Sequence, residues 1–289
     1  MEVEIPGQTI NLDEFDINTL IHDNDGNFIH PRVVMIAPSG SGKSIIVKNV
    51  LYKMRDIPCG TIIAPTDKMT KFFDDFVPPL FIHHDYNPSI IPKILQRQKL
   101  ILKKNEERIK QGKEPIDPRT FLVMDDCMAC KKLWITDPIM LEVMNQGRHY
   151  KLTYILTMQY CLGIQPELRT QFNFIFLLGD DNAATRKKMW EHWAGVFPKL
   201  DLFEQVFLQV TNDYGCMVIN NRIKTIDITK KVFWFKAKLN IPSFKIGHPK
   251  FHKFHTERYD SNYENKQQLF DVLNYGSKRK SNIIVKLIK

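Results

Sequence analysis

Val33-Val34-Met35-Ile36-Ala37-Pro38-Ser39-Gly40-Ser41-Gly42-Lys43-Ser44 joins a β-branched apolar run to a glycine-rich turn. The run from Val33 to Ala37 has the continuous hydrophobicity of a strand buried on both faces of a parallel sheet. Beyond Ser44, apolar residues fall at Ile46, Val47, Val50, Leu51 and Met54, the spacing of a helix. A strand passing through such a turn into a helix gathers backbone N–H groups and a positive helix end at one point, which suits phosphate. Gly40 and Gly42 permit close approach, Lys43 can reach β- and γ-phosphates, and the Ser44 hydroxyl can ligate Mg2+. The expected cradle is therefore Ser39, Gly40, Ser41, Gly42, Lys43 and Ser44, with ATP and Mg2+ as ligands. Ala37 stands where this pattern usually opens with Gly; it precedes the loop proper, so the geometry should survive with a tighter fit.

Working outward, a nucleotide site of this kind needs a carboxylate at a neighbouring strand end. Phe121-Leu122-Val123-Met124-Asp125-Asp126 supplies four apolar residues and then two acids. Asp125 is expected on the metal side, and Asp126 is placed to orient the attacking water or take its proton. Cys127 and Cys130 follow as a lone CxxC pair, which cannot close a tetrahedral zinc site by itself and is expected to pack as thiols. Further strands are expected at 60–65, 152–157 and 172–178, and helices at 90–113, 138–146 and within 182–210. Strands alternating with helices predict an α/β fold with a mainly parallel sheet. Asp23-Asn24-Asp25-Gly26-Asn27 reads as the turn of a small hairpin, and 214–228 as a hairpin at the sheet's edge.

The net charge of +9 is unevenly placed: residues 1–230 hold 28 basic and 28 acidic side chains, and residues 231–289 hold 13 and 4. A neutral body with a basic, aromatic end points to a polyanionic partner, or to a solvated tail. The expected division is a nucleotide-binding domain at 1–230, with 1–31 as an N-terminal extension, and a basic C-terminal extension at 231–289. The aromatics among the basic residues, Phe244, Phe251, Phe254 and Tyr259, suit either base stacking or docking onto the body. Five scattered cysteines fit reduced thiols. No apolar run is long enough to cross a bilayer and the first residues do not read as a signal peptide, so no membrane insertion and a cytosolic location are expected.

Two more positions complete the pattern. The strand from Leu152 ends in Thr157-Met158-Gln159, which puts a polar side chain where hydrolysis can be sensed. Ahead of it, Asn145-Gln146-Gly147-Arg148-His149 closes a helix and presents Arg148 on a loop. Arg148 can either cap the carbonyls of that helix or reach a neighbour's γ-phosphate. Together, Ala-Pro-Ser-Gly-Ser-Gly-Lys-Ser, Leu-Val-Met-Asp-Asp, Gly-Arg-His and the strand ending at Gln159 resemble the genome-packaging ATPases of nucleocytoplasmic large DNA viruses, the poxvirus-type branch of the FtsK–HerA group, over roughly residues 33–180. The resemblance implies a RecA-like sheet and an ATPase that moves double-stranded DNA into capsids. It also implies a homo-oligomeric ring in which Lys43, Asp126, Arg148 and Gln159 serve catalysis and Arg148 acts on the adjacent subunit. A capsid or virion protein partner and a place in the host cytoplasm, viral factory or virion belong to the same expectation. Asp126 stands where many translocases of the wider group carry Glu. A P-loop kinase or nucleotide-metabolising transferase, and a nucleotide-switched DNA-binding protein, are the competing readings.

Overall fold

A computed structural model describes residues 10–261. Eight strands form one sheet: β1 (Arg32–Ile36), β2 (Gly60–Ile63), β3 (Ile82–His83), β4 (Thr120–Met124), β5 (Leu152–Met158), β6 (Phe174–Leu178), β7 (Gly215–Asn220) and β8 (Val232–Lys236). Their order is β3-β2-β4-β5-β1-β6-β7-β8. Neighbours from β3 through β6 are parallel, and β7 and β8 are antiparallel additions. The helices are α1 (Asn18–Ile21), α2 (Lys43–Lys53), α3 (Asp67–Thr70), α4 (Ile90–Lys110), α5 (Pro138–Gln146), α6 (Pro166–Arg169), α7 (Ala183–Trp193), α8 (Leu200–Val210), α9 (Ile228–Lys231) and α10 (Pro249–Arg258).

The central strands are buried on both faces because the period-2 alternation sends their side chains into two separate cores. Val34 and Ile36 join Leu95 of α4, Met140 of α5 and Phe203 of α8 on one face. Val33 and Met35 join Ile46, Val47 and Val50 of α2 on the other. Each such side chain contributes roughly 1.5–3 kcal/mol by leaving water. This is the mainly parallel, helix-flanked sheet the sequence implies, and it sets the ends of β1, β4 and β5 side by side.

The edge differs from expectation. Residues 214–228 are not a hairpin: β7 turns back through α9 and pairs with β8, with Gly215 opposite Lys236. The expected boundary at 231 therefore falls inside the sheet. Beyond it, Phe244 and Ile246 enter the same core as β1, and Phe251 of α10 is buried. Phe244 stacks on Phe76 with ring centroids 5.0 Å apart, and Phe251 on Phe81 at 4.1 Å, so these two aromatics dock onto the body. Residues 10–31 pack onto the body as well. Their Phe15 and Leu20 are buried, and they line the outer side of β8 through Phe15 N–H to Trp234 O (2.7 Å) and Trp234 N–H to Asp13 O (3.1 Å). The turn at 23–27 does close a small hairpin, with the Asp23 carboxylate accepting from the Asn27 backbone N–H at 2.8 Å and His22 bridging to Phe28. The span 182–210 is two helices, broken around Gly195 and Pro198. Among the described residues, no helix is long and apolar enough to cross a membrane. The basic cluster Lys278-Arg279-Lys280 lies outside the described residues.

Candidate active site

The loop after β1 has the backbone shape its composition demands. Gly40 and Gly42 adopt φ of 76° and 91°, left-handed values that cost an L side chain strain. Gly42 opens α2 without a side-chain cap, which leaves the orphan N–H groups of the first turn to a bound anion. The Ser41 hydroxyl donates to Pro38 O at 2.7 Å and braces the turn from inside. Lys43 is buried, and its ammonium donates to the carbonyls of Ala37 and Pro38, each at 2.7 Å. Burial holds that ammonium below its ordinary pKa, while the charges of Asp126 and Asp125 act against the shift. Ser44 follows on the first turn of α2, and Ser39 is exposed at the rim.

Asp125 and Asp126 leave the end of β4, two strands from β1. Thr157 of β5 ties them together. Its hydroxyl donates to Asp125 Oδ1 at 2.8 Å and accepts the Asp126 N–H at 3.0 Å. Asp126 itself is left-handed, with φ 53°, which an aspartate tolerates better than most residues. The turn points its carboxylate towards Gln159, whose amide donates to Asp126 Oδ2. Asp125 is buried, and burial raises its pKa; the Thr157 hydrogen bond pulls the other way, and the Asp126 charge adds to the rise. The donor chemistry fits a hard divalent cation: the Ser44 hydroxyl and the buried Asp125 carboxylate are oxygen ligands of the kind Mg2+ takes.

Lys43, Asp125, Asp126 and Gln159 thus gather at one end of the sheet. Arg148 does not join them. It lies before β5, at the opposite end of a seven-residue strand that spans about 23 Å at ~3.3 Å per residue. No arginine side chain closes that gap. Arg148 is exposed, and its Nε lies 3.4 Å from His149 Nε2. The capping role that Arg148 could have filled belongs to Arg32: this buried guanidinium donates to Met144 O and, at 3.5 Å, to Asn145 O at the end of α5. Thr157 and Arg32 were missed in the sequence because each is consistent with simple strand membership. Cys127 and Cys130 pack against backbone, with Cys127 Sγ donating to Ile63 O at 3.3 Å and Cys130 Sγ to Cys127 O at 3.2 Å. Burial pushes both thiols above their ordinary pKa.

Comparison with known proteins follows the same lines. The family model for the poxvirus A32 protein matches residues 13–183. Protein L437 of Acanthamoeba polyphaga mimivirus is 44% identical over 252 residues, covering 87% of this chain and 85% of the relative. Protein 075L of Invertebrate iridescent virus 6 is 31% identical over 262 residues, covering 89% and 97%. Among solved structures, the genome packaging NTPase B204 of Sulfolobus turreted icosahedral virus 2 in complex with AMP is similar at a TM-score of 0.49 and 18% identity, covering 72% of this chain and 98% of that one. Matched by the family model over more than half its length and by a viral relative over most of it, the chain belongs to the poxvirus A32 protein family.

Proposed function

We propose that this protein is a Mg2+-dependent ATPase that translocates double-stranded DNA into a viral capsid, working as a homo-oligomeric ring. The observation that carries the enzymatic part is the Asp125–Thr157–Asp126–Gln159 network, set at the strand tips beside the Lys43 loop. A nucleotide switch needs only the loop. A carboxylate oriented by an amide, next to a second carboxylate on the metal side, is the equipment of turnover. The packaging and ring assignments are supported by family membership and by the residue patterns that resemble packaging ATPases. Capsid association and a place in the host cytoplasm or viral factory belong to the same proposal.

In the proposed reaction, the first-turn N–H groups of α2 cradle the phosphates. Lys43 supplies positive charge to the transferring phosphoryl group. Ser44 and Asp125 would hold Mg2+, which would supply charge neutralisation at the phosphate oxygens. Asp126 orients the attacking water and accepts its proton, and Gln159 holds that carboxylate until a γ-phosphate competes for its amide. Arg148, remote from its own site, is left to act on the neighbouring subunit's nucleotide.

The test is the ATPase rate with and without double-stranded DNA, read beside the mass in solution. A motor is stimulated by DNA and oligomeric. A DNA-indifferent, monomeric enzyme favours a kinase or transferase, and negligible turnover in both conditions favours a switch.

A further inference from the structure

Tyr214 is 70% exposed, yet it is held in place. It and Asp213 carry φ of 59° and 49°, two consecutive left-handed residues that are neither Gly nor Asn. An aspartate tolerates this region, but in a tyrosine it is a strain that persists only where the surroundings enforce it. The surroundings here are identifiable. Asp213 forms an ion pair with Lys236 of β8. Gly215 follows so tightly that a side chain there would strike Val210 O at 2.1 Å. Upstream, the Thr211 hydroxyl is tied to Phe207 O at 2.7 Å. The result is an aromatic ring presented to solvent beside the phosphate loop: a methyl group on Gly42 would lie 4.0 Å from Tyr214 Cδ1.

The sheet order says what could lie against it. The carboxylates and Gln159 sit on β4 and β5, to one side of β1, so the γ-phosphate end of a nucleotide points that way. A phosphate chain that crosses the loop must leave its sugar and base on the other side, over the ends of β6 and β7. Tyr214 stands at the start of β7, two strands and so about 10 Å from β1.

We propose that Tyr214 is the stacking platform for the base of the bound nucleotide, a contact that depends on the nucleotide-site reading above. The strained turn is the device that holds the ring beside the loop rather than letting it pack on the body. Stacking engages the π-face that every base presents, so this contact holds the base without choosing between adenine and guanine.

The test measures equilibrium binding of ATP and of inorganic tripolyphosphate, which has no base, to the full chain and three variants. Tyr214→Ala should weaken ATP roughly ten- to a hundredfold, the range that loss of base–aromatic stacking produces, and leave tripolyphosphate within about twofold. Tyr214→Phe should bind ATP like the parent. Equal loss of both ligands in Tyr214→Ala would mean that the ring only shapes the loop, and no loss of either would place Tyr214 outside the site; each overturns the proposal. Lys43→Ala separates the two layers of the argument. If it abolishes binding of both ligands while Tyr214→Ala changes nothing, only the stacking fails; if it changes nothing, the phosphate site itself is wrong.

Discussion

At the residue scale, Thr157 ties together the two acids to which the proposed reaction gives different roles. Its hydroxyl is donor to one and acceptor from the other, so it fixes their separation. Thr157→Val keeps the β-branched shape and removes both bonds. Leaving a buried carboxylate and an N–H without their partner should cost about 1–3 kcal/mol in thermal or denaturant unfolding, and turnover should fall at least tenfold; Thr157→Ser should recover most of each. Lys43→Ala should cost about 10² or more in rate, because it removes charge aimed at the phosphoryl group. Asp126→Asn should spare ATP binding and suppress turnover, whereas Asp125→Asn should weaken Mg2+-dependent binding; identical behaviour of the two would merge their roles. The acids were legible from sequence because two carboxylates at the end of an apolar run are unusual. Thr157 was not, since a β-branched residue within a strand is already explained by packing.

At the element scale, the strands that continuous apolar runs announce, such as β1 and β4, lie where expected. The failures came where an apolar run is set in basic sequence or is very short. In β8, Val232 and Phe235 are buried while Trp234 and Lys236 are exposed, and the strand sits in basic sequence that reads as tail. In β3 there are two residues only. The junction of α5 and β5 shows the same limit from another side: Arg32, far away in sequence on the neighbouring strand β1, holds the helix end that presents Arg148. Arg32→Met should therefore destabilise the fold, by roughly 3 kcal/mol, since two helix-end carbonyls lose a charged donor. Arg148→Ala should leave the unfolding midpoint unchanged. A shared loss of stability would return Arg148 to a structural role.

At the scale of the whole molecule, stability should carry a signature of His30. This buried histidine, whose Nδ1 has no hydrogen-bond partner, is pushed down to about 4 by burial and then by the charges of Lys151 and Arg119. The folded state keeps it neutral, while the unfolded chain protonates it below about 6.5. Stability should thus fall as pH drops from about 6.5 to 4, by up to roughly 3 kcal/mol, and level off below. His30→Asn, which tolerates the φ of 50° there, should flatten that slope. DNA affinity belongs to this scale too. Because the chain through α10 is part of the fold, removal of residues 262–289, with six Lys and Arg, is the appropriate truncation. It should flatten the dependence of log K on log salt by ~0.9 for each DNA phosphate that the shortened chain no longer neutralises.

The proposed ring is where these scales meet: β5 separates Arg148 from the Lys43 loop of its own subunit, and on that proposal its target is a neighbour's site. The direct measurement mixes Lys43→Ala chains, which have an intact finger and a dead site, with Arg148→Ala chains, which have an intact site and no finger to offer. ATPase activity should be low in each alone, by about 10³-fold or more for the missing finger, and should partly return on mixing. Full activity of Arg148→Ala alone, or no recovery in a mixture shown to co-assemble, would contradict hydrolysis at sites shared between subunits.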